Sequence, residues 1–179
     1  MKFITETLPN GLEIIAEVNP SAVSTAVGFF VKTGSRDESP EVSGVSHFLE
    51  HMVFKGTDKR SALDITYQLG ELGAQANAYT SIEQTVFYGA VLPENALAFT
   101  ELLGDMLMPA LAQEEYDMEK KVILEEIALY EDRPMHILFE GLMNEHFGSH
   151  KVANSILGTN QSITDLTSGQ MRAYHSQQY

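Results

Sequence analysis

The sequence predicts an α+β fold, with a mixed, mainly antiparallel β-sheet covered by helices on one face. Three features of the chain point there. Its first third reads in short alternating apolar stretches broken by turn residues, whereas from Glu94 onward the apolar residues recur almost entirely at helical spacing. The 179 residues are 44% apolar and 20% charged, the composition of one globular domain with a sizeable core. No internal repeat, low-complexity segment or linker divides them.

Strands are predicted over 2–8 and 12–18, separated by Pro9-Asn10-Gly11, whose Asn-Gly pair suits the positive φ values of a tight hairpin. A third strand covers 25–32. The segment "TGSRDESPE" (33–41) is rich in turn formers, and the pattern then becomes helical over 43–54, with Val45, Phe48, Leu49, Met52 and Val53 on one apolar face. A second helix spans 62–72, with Ser61 as N-cap, Asp64 three residues on and Gly73 as its stop. Strands over 74–80 and 84–92 follow, the second ended by Pro93. Helices are predicted over 94–107, 113–132, 135–146 and 167–176.

Composition excludes several chemistries. There is no cysteine, so disulfides and thiolate ligands are ruled out, and a metal site must be built from His, Asp and Glu. The longest apolar run, "AVGFFV" (26–31), is far too short to span a bilayer, and "MKFITETLPNG" lacks the sustained apolar core of a secretory signal. A cytoplasmic protein is expected. The formal charge of −14 opposes nucleic acid and anionic membrane surfaces and attracts cationic ligands, although acidic side chains also serve simply to solvate a surface.

The segment "SHFLEHMVFKGT" (46–57) carries the most chemistry. On a helix His47 and His51 lie one turn apart and can aim at a common point, and Glu50 lies beside the same face, within reach of a metal-bound water. Two partly buried histidines satisfied by hydrogen bonds would be the plainer reading. The added glutamate favours metal, because HxxEH reverses the HExxH signature of zinc hydrolases. "HFGSH" (146–150) has the same histidine spacing, but it lacks the glutamate and carries Gly148 and Ser149, so no metal is expected there. A catalytic zinc usually takes three protein ligands. The helix over 113–132 offers Glu119 and Glu126, seven apart on nearly one face, and Glu125, turned about 100° from Glu126. Periodicity does not choose among these three, and a solvated acidic face with Val122, Ile123 and Ile127 in the core is the plainer account of that helix.

Taken together, "LPNGL" (8–12), "TGSRDE" (33–38), "GVSHFLEHMVFKGT" (44–57), "GAQANAYTS" (73–81), "EKKVILEEIALYED" (119–132) and "SILGT" (155–159) resemble the inverzincin peptidases, the pitrilysin and insulinase family. The resemblance covers essentially the whole chain and is strongest to the bacterial processing-peptidase branch, which is similar to the β subunit of mitochondrial processing peptidase. It implies a zinc-dependent metalloendopeptidase acting on extended or unfolded peptides. The family spacing, 74 residues between His51 and the next ligand, makes Glu126 the third zinc ligand beside His47 and His51. It makes Glu125 a neighbour, Glu119 a supporting catalytic residue and Glu50 the general base. One Zn2+ per chain is implied. "NAYTS" (77–81) looks like the family's substrate strand, with Asn77, Ala78 and Tyr79 binding peptide by backbone pairing.

Family members are clam-shells of two homologous halves. Residues 1–179 are therefore expected to form a single N-terminal zinc-peptidase domain, the metalloprotease-like half, lacking its last strand after "YHSQQY" and the second half. The implied partner is a second homologous domain or subunit, a homodimer included. A non-catalytic partner subunit that contributes peptide-binding surface is the main competing reading, and a metal-binding domain in some other hydrolysis is a third.

Overall fold

The computed structural model describes residues 1–179. Strands β1 (Lys2–Thr7) and β2 (Glu13–Val18) pair antiparallel from Lys2↔Val18 to Thr7↔Glu13. The tight Asn-Gly turn suggested by the sequence is instead a five-residue loop closed by Leu8 N–H to Leu12 O and Gly11 N–H to Leu8 O. Only Gly11 takes a positive φ, +88°, while the Asn10 carboxamide accepts from the Leu12 N–H.

The strands are antiparallel throughout, as the predicted α+β fold requires, and within these 179 residues they fall into two groups. β1 and β2 form a ribbon of their own, and β3 (Thr25–Val31), β5 (Thr85–Val91) and β4 (Gln75–Thr80) form an antiparallel sheet in that order. The ribbon is the more exposed of the two groups. Both of its faces carry apolar side chains, yet Phe3 and Ile15 stay 67% and 74% exposed, so alternation there does not mark one buried face. An ion pair across 4.0 Å, Lys32 to Glu13, lies between ribbon and sheet.

Seven helices follow: α1 (Val45–Met52), α2 (Ala62–Glu71), α3 (Ala96–Met106), α4 (Gln113–Glu131), α5 (Pro134–Phe147), α6 (Asn160–Asp165) and α7 (Ser168–Gln178). α2 starts as its sequence indicates, with the Ser61 hydroxyl accepting from the Asp64 N–H and the Asp64 carboxylate accepting from the Ser61 N–H. α6 has no counterpart among the predicted elements, being too short for a periodic pattern, although Thr159 caps it through the Ser162 N–H.

α1 lies at the centre of the packing. Val45, Phe48, Leu49 and Met52 join Tyr116, Ile123 and Ile127 of α4 and Ile163, Met171 and Tyr174 of α6 and α7 in one core. Val53, one residue past α1, joins a second core formed by Phe87 and Val91 of β5, Ile65 of α2 and Phe99, Leu102, Leu103 and Met106 of α3. The helix bearing the HxxEH residues is thus wedged between sheet and helical layer. Its start is fixed by two close backbone approaches. Gly44 (φ +89°) and Gly158 (φ +75°) face each other's segments, and a Cβ on Gly158 would come 2.4 Å from the Ser43 carbonyl oxygen. The "SILGT" loop therefore seats on the N-terminus of α1.

Candidate metal centre

α1 presents His47 and His51 on one face, their rings edge to face with centroids 4.7 Å apart. α4 lies across them because Phe48 stacks on Tyr116 at 4.9 Å and Ile123 and Ile127 fill the space alongside. That packing aims Glu126 at the histidines, with its Oε2 at 3.7 Å from His47 Nε2 and 3.6 Å from His51 Nε2. The donor atoms of His47, His51 and Glu126 all lie within 4.8 Å of one another. Ligands held at about 2.0–2.1 Å in a tetrahedron are separated by roughly 3.4 Å, so these three residues could hold a zinc ion with small adjustments. Two imidazoles and a carboxylate also suit zinc chemically.

Glu119 stands two turns before Glu126 on α4 and takes the other side of His51, with Oε1 at 2.8 Å from Nδ1. A carboxylate can only accept there, so Nδ1 carries the proton and Nε2 keeps its lone pair for a metal. Lys55 grips the second oxygen of Glu119 at 2.5 Å. Burial alone would push the Glu119 carboxyl up, but the bonds from Lys55 and His51 outweigh it and hold the group below its usual range. His47 is 8% exposed, and its Nδ1 is buried without a hydrogen-bond partner from the protein. Burial, aided by the neighbouring His51, pushes the His47 pKa down to about 4, so its ring is neutral at neutral pH.

Glu50 stays apart from the donor set, since its Oε2 accepts a 2.6 Å hydrogen bond from the Thr80 hydroxyl at the end of β4. Burial raises its pKa, with the Glu126 charge adding to the rise and the Thr80 bond and His51 opposing it. The N-terminus of α1 is held by Glu38, whose two oxygens accept from the Gly44 and Ser46 N–H groups at 2.7 and 2.8 Å. Burial lifts Glu38 to about 7 against those bonds. The Ser46 hydroxyl pairs with Tyr174 OH at 2.8 Å, which in turn meets the Thr33 hydroxyl at 2.8 Å.

The structure thus gathers His47, Glu50, His51, Glu119 and Glu126, while Glu125 is exposed. Asn77, Ala78 and Tyr79 lie on β4, a strand paired on one side only and packed beside α1. Asn77 and Tyr79 point outward; the Asn77 carboxamide accepts from the Ala78 N–H, and Tyr79 sits edge-on to Tyr88. In "HFGSH", Gly148 (φ +57°) ends α5 between the two histidines, so they do not share a helix face. Val122, placed in the core by the plainer account of α4, is 45% exposed, whereas Ile123 and Ile127 are buried. Sequence reasoning missed Lys55, Thr80 and Glu38. Lys55 follows His51 by four residues, a spacing that is a readable signal although Lys55 itself lies in the turn beyond α1; the partners of Thr80 and Glu38 are set by the fold. A groove of about 830 Å³ lies between α4, α5 and residues 153–161, and none of the metal-donor residues lines it. No helix is long and apolar enough to cross a membrane.

Residues 13–160 match the insulinase family, peptidase family M16. A Bacillus subtilis protein named as the uncharacterized zinc protease YmxG is 41% identical over 97% of this chain and 42% of its own length. A probable β subunit of mitochondrial-processing peptidase from Arabidopsis thaliana is 36% identical over 97% of this chain and 33% of its own. A crystal structure of a protease from Helicobacter pylori superposes with a TM-score of 0.94 at 26% identity, covering 99% of this chain and 44% of that one. The chain spans less than half the length of these relatives. With a family match over most of its length and a relative of this identity, the chain belongs to the insulinase family of peptidases, family M16.

Proposed function

We propose that this chain is the metal-bearing N-terminal domain of a zinc-dependent metalloendopeptidase that cleaves extended or unfolded peptides. The observation that carries the reading is the division of labour among carboxylates. Glu126 faces both imidazole Nε2 atoms, Glu119 backs His51, and Glu50 is held off the donor set by Thr80. When bound by His47, His51 and Glu126, one zinc ion per chain supplies Lewis-acid polarisation of the scissile carbonyl and an acidified water.

The chain's own residues do the rest. Glu50 accepts a proton from the attacking water and delivers it to the leaving nitrogen, a role suited to a carboxyl whose affinity for protons burial has raised. Thr80 occupies one oxygen of Glu50 and leaves the other to work. The unpaired edge of β4 offers an extended peptide the backbone of Ala78, once its N–H leaves the Asn77 carboxamide, with the Asn77 and Tyr79 side chains flanking it, and the strand ends at Thr80, beside the base. Backbone pairing selects conformation more than sequence, and the net charge of −14 favours basic peptides over nucleic acid or anionic membrane. The remaining length of the relatives supports a second homologous domain or subunit as partner, a homodimer included. The cytoplasm is the compartment this reading assigns.

Elemental analysis of the 179-residue chain beside His51→Ala tests it. About one zinc per chain, lost in the variant, with zinc kept but peptide cleavage abolished by Glu50→Gln, supports the peptidase. A folded wild-type chain without zinc favours the non-catalytic partner subunit.

A further inference from the structure

His47 and His51 lie one turn apart on α1, and Lys55 extends their stripe from the tighter turn beyond Met52, where Phe54 N–H bonds His51 O and Lys55 N–H bonds Met52 O three residues back. The stripe faces α4, where Glu119 receives both of its last two members. His51 Nδ1 bonds one carboxylate oxygen at 2.8 Å and Lys55 Nζ the other at 2.5 Å. Glu119 is 5% exposed, so few positions are open to its carboxylate other than the one these two donors define.

We propose that Lys55 is a positioning residue of the metal centre, fixing the rotation of Glu119 so that its free oxygen holds His51 with Nε2 turned towards the metal. The proposal rests on the zinc reading given above. Its alternative is that Lys55 is a surface cation serving as a counter-charge. The two differ in sign. Glu50, Glu119 and Glu126 put three carboxylates around the donors, with Lys55 as the cation in contact. As a mere counter-charge, Lys55 repels an incoming divalent cation, and its removal tightens metal binding. As a positioning residue, its removal frees Glu119 to rotate, unlocks the His51 ring and weakens binding, as the loss of an outer-shell partner does.

Zinc affinity of the full 179-residue chain, measured by chelator competition, separates the two. Lys55→Met is expected to weaken zinc binding about 10- to 100-fold, and Lys55→Arg, which keeps charge and donors, to stay within about threefold of wild type. In a Glu119→Gln background Lys55→Met should add little, because Lys55 acts through that carboxylate. The 15N shifts of the His51 ring in the metal-free chain give a second readout: the proton should sit on Nδ1 in wild type and redistribute in Lys55→Met. Unchanged or tighter zinc binding in Lys55→Met, an undiminished effect in the Glu119→Gln background, or an unmoved His51 tautomer would overturn the proposal and leave the zinc site standing. Absence of zinc from the wild-type chain overturns both.

Discussion

The Thr80 hydroxyl donates a 2.6 Å hydrogen bond to Oε2 of Glu50, tying the last residue of the half-paired strand β4 to the helix that carries His47 and His51. Strand and Glu50 carboxylate are therefore directly linked. Thr80→Val keeps the shape and the β4 backbone but drops the bond. Steady-state kinetics on an unfolded peptide should show kcat reduced about 10- to 100-fold with KM nearly unchanged, and Thr80→Ser should recover most of it. Equal losses in Val and Ser variants would deny the hydroxyl this role.

Acid should weaken the metal-free chain through His47. Its pKa falls from about 6.5 to about 4 on folding, so the unfolded chain binds the proton more tightly. The stability due to this ring is fully present above pH 6.5 and is lost as pH falls through 4, roughly 3 kcal/mol in all. Urea titrations in chelator at pH 7 and pH 4 should show a smaller acid loss for His47→Gln than for wild type. A loss of the same size in both would refute the assignment.

Glu38→Ala removes the acceptor of two N–H groups in the buried start of α1. Leaving both donors unpaired should cost about 2–4 kcal/mol. Denaturant unfolding measures this directly, and a cost below about 1 kcal/mol would mean that the helix start finds other acceptors.

Gly158→Ala should be among the costlier small substitutions in the chain. Its φ of +75° disfavours any side chain, and the new Cβ would press on Ser43 and Gly44 backbone atoms that cannot swing aside. A loss of more than about 2 kcal/mol is expected, whereas Gly141→Ala, which meets nothing within 4 Å inside a helix, should gain up to about 1 kcal/mol. Thermal melts of the two variants make the comparison.

α1 was legible in the sequence because its apolar spacing and its histidine spacing share one period. α4 was harder to read. Its buried stripe runs Tyr116, Glu119, Ile123, Ile127, and the carboxylate at one of those four places hides the apolar pattern that would have marked the inner face. The same stripe leaves Val122 outside. Periodicity left Glu119, Glu125 and Glu126 open and only the family spacing singled out Glu126; in the structure the approach of α1 sets Glu119 at Nδ1 and Glu126 at Nε2 of His51 and leaves Glu125 to solvent. Contacts such as Tyr174 to Thr33, 141 residues apart, leave no local trace at either end.

The ribbon of β1 and β2 shares no ladder with the other three strands and keeps large apolar side chains in water. A two-stranded ribbon is marginal alone, so its opening takes only a small part of the free energy of global unfolding. Its amides will exchange with solvent through local opening, while those of β5, laddered on both sides over Phe87 and Val91, are released only when the whole domain opens. In the 179-residue chain the first 18 residues are therefore expected to open as a separate unit. Limited proteolysis of the 179-residue chain should cut there before it cuts the laddered strands.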